Sequence, residues 1–354
     1  MKRMEPPGTN FANQKQTNMN KFHLISSALF LSLLIACNSC TQTPKNPEKD
    51  NTTQKLEVTT PTFDADSAYW YTKKQVDFGP RVNNSKAHIA CGDWMIAFLK
   101  QYADTVYVQN CALKGYDGKI LISRNIIASF NINNPQRIAL ASHWDTRPWA
   151  DQDTVRKKEP IDGANDGASG VGVLLEIARV LHENKLGTGI DLILLDAEDY
   201  GQPDDIAPPN EDSYCLGTQY WCKNPHVKGY KAEFGILLDM VGAPFATFTK
   251  EGMSVRYASP YLDYVWNIAN EQGFGLYFRN DVTAGIIDDH KYINEMTGIP
   301  MIDIIDRTSS TPSGFGAYWH THQDNMLMVD KKTLKAVGQT LLYTIYRFDA
   351  NKGI

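Results

Sequence analysis

The sequence predicts an α/β fold: a single globular domain on a central mixed, mostly parallel twisted sheet, flanked by helices on both faces. Three observations predict it. From about residue 63 onward, helical and strand-like segments alternate. The strand-like runs are apolar throughout instead of alternating, as strands buried on both faces are. No internal repeat or second-domain linker interrupts them, and 354 residues with 42% hydrophobic content can enclose one large core.

Each element has a local reason. Asp64 to Val76 and Ser85 to Tyr102 carry helical spacing, and Ser85 is placed to cap the second. Thr105–Val108, Asn125–Phe130 and Arg137–Ala141 are β-branched or apolar and read as strands. In Val171–His182, Val171, Leu174, Leu175, Ala178 and Leu181 share one helical face. Strand Ile190–Leu195, helix Gly217–Trp221 and strand Phe234–Leu238 follow. Then come helix Tyr261–Gln272, a short helix at Asp289–Met296, strand Met301–Ile305 and a closing helix, Lys331–Phe348. The polar connections 144–165, 199–214 and 306–319 exceed the usual loop length, which favours active-site roles.

Residues 1–36 read as a signal peptide, with Met19 as an alternative start. Leu24 to Ala36 is an apolar run of 13 residues after Lys21, shorter than the roughly 20 residues a membrane span needs. It ends in Leu34-Ile-Ala-Cys37, which resembles the lipobox of bacterial lipoproteins and implies a lipid on Cys37. Residues 37–62, rich in Thr, Asn, Lys and Pro, read as a solvated tether, and 63–354 as the folded domain. The expected location is the cell envelope, lipid-anchored to a bacterial membrane, with the domain facing the periplasm or the exterior. A net charge of -5 offers no basic face for nucleic acid. Beyond the lipobox, Cys40, Cys91, Cys111, Cys215 and Cys222 remain. The envelope permits disulfides, but sequence does not give their connectivity. No Cys-x-x-Cys pair lies inside the mature domain, which argues against a thiolate metal site.

The chemistry-bearing residues stand where apolar runs stop. His143 follows Arg137-Ile-Ala-Leu-Ala-Ser; Asp196, Glu198 and Asp199 follow Ile190–Leu195; Asp239 follows Phe234-Gly-Ile-Leu-Leu. Asp166 lies in Gly163-Ala-Asn-Asp-Gly-Ala-Ser-Gly170, at the start of an apolar helix, and His320 stands beyond the last strand. Ligand crevices of open α/β sheets lie outside the carboxyl ends of the strands, so these groups can converge. Catalytic zinc takes three nitrogen or oxygen ligands and keeps one position open. His143, Asp166, Asp199, Asp239 and His320 are the candidates. A Ser-His-Asp hydrolase is disfavoured, because the chain has no Gly-x-Ser-x-Gly elbow. Ser169, inside the helix start, suits capping or packing.

The order His-x-Asp, Gly-Ala-Asn-Asp, Glu-Asp, Asp-Met and His resembles the zinc aminopeptidase superfamily over roughly residues 65–350. Phe78-Gly-Pro-Arg-Val, Asn125-Ile-Ile-Ala, His143-Trp-Asp, Leu238-Asp-Met-Val-Gly-Ala-Pro244, Asp288-Asp-His290 and Trp319-His-Thr resemble its glutaminyl cyclase branch. The resemblance implies one zinc on Asp166, Asp199 and His320, acting on peptides or secreted proteins with N-terminal glutamine. It also implies that Asp289, with Asp239 behind it, holds the leaving nitrogen. Glu198 is the natural proton shuttle, and Trp319 an apolar wall for the glutamine stem. Asp145 and Asp324 are placed to orient His143 and His320. Two features depart from the animal cyclases. Asp199 stands where they have glutamate, and Gly163–Gly170 is closer to the aminopeptidase pattern. The alternative is thus a two-zinc aminopeptidase, with His143 and Asp239 on the second metal.

Overall fold

The computed structural model describes residues 58–203 and 205–353. The signal-like run, Cys37 and most of the tether lie outside the described residues.

Two helices lead in. α1 (Ala65–Val76) starts at Asp64, whose side chain accepts the N–H groups of Asp66 and Ser67; α2 (Lys86–Leu99) starts at Ser85, which accepts from His88. β1 (Thr105–Lys114) and β2 (Ile120–Phe130) form an antiparallel ladder from Thr105↔Ser129 to Lys114↔Ile120. The expected strands are only its inner halves. The outer halves are partly exposed at alternate positions, so they lack the continuous apolar run that marks a buried strand.

β3 (Arg137–His143), α3 (Ala168–Glu183), β4 (Gly189–Leu195), α4 (Leu216–Lys223) and β5 (Phe234–Asp239) build the centre. β6 (Phe248–Lys250), α5 (Gly252–Glu271), β7 (Phe278–Val282), α6 (Asp289–Thr297), β8 (Met301–Ile305) and α7 (Lys331–Asn351) complete it. The main sheet runs β1-β2-β4-β3-β5-β8. β4, β3, β5 and β8 are mutually parallel, while β2 meets β4 antiparallel, which makes the sheet mixed. Side chains alternate between two apolar layers. Leu192 and Leu194 pack with α3 and α7, whereas Ile193 and Leu195 pack with Trp221 of α4 and Ile293 of α6.

Sequence periodicity places a helix only from Tyr261; α5 in fact begins at Gly252. Ala258 breaks helical geometry (φ -139°) just before Pro260, which has no N–H to donate and crowds the preceding turn. Glu251 starts the helix by accepting from the N–H groups of Met253 and Ser254, both at 2.8 Å. The small β6–β7 sheet is absent from the sequence reading, because a three-residue strand shows no period.

α1 and α3 pack closely through Gly172. A Cβ there would lie 2.1 Å from Thr72 Oγ1 and 2.8 Å from the Ala68 carbonyl. Gly172→Val should therefore lower stability by about 1–3 kcal/mol. Urea unfolding followed by far-UV circular dichroism checks this, and an unchanged midpoint would contradict the packing described.

Candidate metal centre and catalytic cleft

The parallel strands β3, β4, β5 and β8 end on one edge of the sheet, and the site is built there. β3 ends at His143 and β5 at Asp239; the turn after β4 carries Asp196, Glu198 and Asp199. Asp166 arrives from the loop before α3 and His320 from the connection between β8 and α7. Backbone geometry is unusual here. Ala197 (φ 53°), Cys215 (φ 54°), Met240 (φ 48°) and His320 (φ 53°) are left-handed without being glycine. Each is beside a site carboxylate in sequence or space, or is itself a candidate ligand. Non-glycine residues tolerate this region at a cost, and such residues cluster at functional sites.

Asp166, Asp199 and His320 meet, with one donor atom of each lying within 4.8 Å of the others. His320 Nε2 is 3.4 Å from Asp199 Oδ1 and 3.8 Å from Asp166 Oδ2. Asp199 Oδ2 is buried without a hydrogen-bond partner. A buried carboxylate oxygen lacking a donor asks for a cation. The two-carboxylate, one-imidazole set therefore fits zinc. A second set, His143, Asp166 and Asp239, shares Asp166 with the first. In it, His143 Nε2 is 3.1 Å from Asp166 Oδ1 and 3.2 Å from Asp239 Oδ1.

Glu198 lies over these sets. Its Oε1 is 3.4 Å from Cys215 Sγ, and its Oε2 is 4.0 Å from His143 Nδ1. Burial, reinforced by Asp199, Asp288 and Asp289 against the opposing pull of His143, pushes its carboxyl well above the usual range. The adjoining cavity, about 320 Å³, is lined by Asp166, Glu198, Asp199, Glu211, Asp239 and Asp288 with Tyr214, Ile286, Phe315 and Trp319 among the apolar and aromatic walls. Trp319 stacks on His320 with ring centroids 3.8 Å apart and meets Phe315 at 4.8 Å.

Two expectations are corrected. Asp289 is fully buried and does not line the cavity; it accepts from Thr218 Oγ1 at 2.6 Å. Asp288 lines the cavity instead, with an oxygen within 4.8 Å of donor atoms of Glu198 and Cys215. The reason is helix capping. Asp288 sits at the N-cap of α6 in extended conformation, while Asp289 is its first helical residue and points elsewhere. Asp324 does not orient His320. It accepts the N–H groups of Asn165 at 2.7 Å and Asp166 at 3.0 Å, and so fixes the Asp166 loop. Burial, with the neighbouring Asp166 charge, pushes its carboxyl up to about 8. The carboxylate beside His320 Nδ1, at 3.2 Å, is Asp151. Asp151 lies in the long 144–165 loop, whose length is its only sequence signal.

Asp145 is 3.6 Å from His143 Nδ1 and accepts the N–H groups of Glu198 and Asp199 at 3.0 and 3.1 Å. Asp196, in contrast, faces away from the cleft, with its oxygens 2.9–3.0 Å from His88 Nε2. Ser169 has the packing role expected: it donates to the Asn165 carbonyl and accepts from the Val241 N–H. Among the described residues, Cys91, Cys111, Cys215 and Cys222 are all unpaired thiols.

The sequence profile of peptidase family M28 matches residues 125–345. The chain belongs to that family. Its fold is similar to that of a glutaminyl cyclase from Bacteroides thetaiotaomicron, with a TM-score of 0.80 and 51% identity over 81% of this chain and 99% of that one. A Zn-dependent exopeptidase from Parabacteroides distasonis is equally similar, with the same TM-score, identity and coverage. Glutaminyl-peptide cyclotransferase of Bos taurus is 25% identical over 248 residues; the match spans 61% of this chain and 64% of the bovine one.

Zinc should be coupled to stability, because a ligand held only by the folded state stabilises it by about 4 kcal/mol at a thousandfold excess over Kd. Dialysis against a strong chelator should lower Tm, and added zinc should restore it. His320→Ala should abolish that response in calorimetry.

Proposed function

We propose that this chain is a glutaminyl cyclase, converting the N-terminal glutamine of peptides or secreted proteins to pyroglutamate with release of ammonia. The observation that carries the reading is the pairing of Glu198 with Asp288 above the Asp166–Asp199–His320 cradle, in a chain half identical to a bacterial glutaminyl cyclase. Zinc, one per chain, would be held by Asp166, Asp199 and His320 and would supply Lewis acidity at the side-chain amide oxygen.

The protein groups do the rest. The substrate's α-amine attacks the side-chain amide carbon, a C–N bond forms, and the bond to the departing nitrogen breaks. Glu198 takes the proton that the α-amine loses and delivers it to the leaving ammonia. A carboxyl raised by burial is suited to both directions of that transfer. Asp288, with Asp239 nearby, holds the nitrogen that leaves. Trp319 packs on the glutamine methylenes and keeps water from the amide. Attack is intramolecular, so no nucleophilic side chain is required.

One observation favours a second reading. The His143–Asp166–Asp239 set is complete and shares Asp166 with the first, which suits a two-zinc aminopeptidase. A single experiment separates the two. The purified domain is incubated with Gln-initiated and Leu-initiated peptides while bound metal is quantified. Loss of ammonia from the Gln peptide alone, with one zinc per chain, is expected; release of free leucine with two zinc ions would overturn it. Glu198→Gln should retain zinc and lose about 10²–10⁴-fold in cyclisation rate.

The supported location is the cell envelope. The apolar run before Leu34-Ile-Ala-Cys37 favours export and a lipid on Cys37, with residues 38–62 as tether. Among the described residues no helix is long and apolar enough to cross a membrane, so this lipid would be the membrane attachment. Cys37→Ala should abolish incorporation of labelled fatty acid and release the protein from the membrane fraction.

A further inference from the structure

Arg147 is a fully buried guanidinium immediately behind the metal cradle. Its Nε and Nη2 donate to the two oxygens of Asp151 at 2.9 and 2.8 Å, a bidentate pair. Its Nη1 faces the other way, toward the Asp199 carbonyl at 3.1 Å, Asp199 Oδ1 at 3.4 Å and the Gly201 carbonyl at 3.3 Å. The guanidinium is packed between the rings of Trp149 and Tyr214, 5.3 and 5.4 Å from their centroids. Asp151 in turn places Oδ1 3.2 Å from His320 Nδ1.

We infer that Arg147 is a positioning residue that sets two of the three metal ligands at once: Asp199 directly, and His320 through Asp151. The ligands come from segments far apart in sequence, one after β4 and one before α7. Few covalent constraints relate them. An aspartate has a single methylene, so its carboxylate follows the backbone of its own residue closely. Asp145 holds that backbone by the N–H groups of Glu198 and Asp199. Arg147 holds it by the carbonyls of Asp199 and Gly201, so segment 198–201 is clamped from both polarities. On the other side, the Asp151 carboxylate stands 3.2 Å from Nδ1 and so occupies that edge of the ring, while Nε2 faces Asp166 and Asp199. Arg147 is also the cation that offsets Asp151 and Asp199. Lysine cannot replace it, because one ammonium on a flexible stem cannot span both partners as the planar fork does.

The inference rests on the Asp166, Asp199 and His320 ligand set and not on the reaction that follows, so metal binding tests it without a substrate. Zinc affinity is measured by chelator competition, and ligand geometry by the visible spectrum of the cobalt-substituted protein. Arg147→Lys keeps the charge and should weaken zinc about 10–100-fold, the range typical of groups that orient metal ligands, with an altered cobalt spectrum. Asp151→Asn keeps the side-chain shape and should weaken zinc in the same direction. Arg147→Lys that folds with unchanged affinity and spectrum would overturn the inference. Should Arg147→Lys fail to fold, Asp151→Asn decides: unchanged zinc affinity and spectrum there overturn it equally. His320→Ala serves as the reference for a lost ligand. If His320→Ala binds zinc normally, the ligand set itself has failed, a result distinct from failure of the Arg147 clamp.

Discussion

Mutual repulsion among buried carboxylates is the constraint on which the site depends. Asp166, Glu198, Asp199, Asp239 and Asp288 converge on one cavity that, among the described residues, no lysine, arginine or histidine lines, with His143, His320 and Arg147 standing behind them. Removed from water, such charges are costly unless a cation or a proton compensates them. The protein uses both. A divalent ion suits Asp166 and Asp199, whereas burial and neighbouring carboxylates drive Glu198, Asp239 and Asp288 toward their protonated forms against the pull of His143. A cradle that demands a cation and a neighbouring carboxyl whose affinity for a proton is raised are the two components a zinc-assisted acyl transfer requires.

The sheet makes this convergence possible without long side chains. Four parallel strands deliver His143, the Glu198–Asp199 turn and Asp239 to one edge, with β8 leading toward His320. The apolar layers on both faces fix the strands. The strain at Ala197, Cys215, Met240 and His320 is therefore carried by the turns alone. A rigid sheet with strained turns at its edge is a means of aiming carboxylates accurately.

The surrounding loops hold the ligands by backbone groups as much as by side chains. Asp145 takes the N–H groups of the Glu198–Asp199 turn, Asp324 those of the Asp166 turn, and Arg147 the carbonyls of Asp199 and Gly201. A carboxylate that accepts backbone N–H groups fixes a turn without filling the metal's open position. This explains how Asp324 can be essential to the geometry while standing off His320.

The sequence by itself determined the alternation of elements, the fully apolar central strands, the cap at Ser85, and the placing of His143, Glu198, Asp199 and Asp239 at strand ends, with Asp166 and His320 on connections that can reach them. These follow from local rules: side-chain period, capping and the chemistry of chain reversals. The tertiary structure decided whatever depends on direction. Asp288, not Asp289, faces the cavity, because helix capping divides adjacent residues between opposite surroundings. Asp151, not Asp324, stands beside His320, since that contact joins loops about 170 residues apart in the sequence. The β6–β7 sheet and the early start of α5 also needed the fold. Their stability comes from the elements they pack against, and a three-residue strand or a helix containing Pro260 carries little signal of its own.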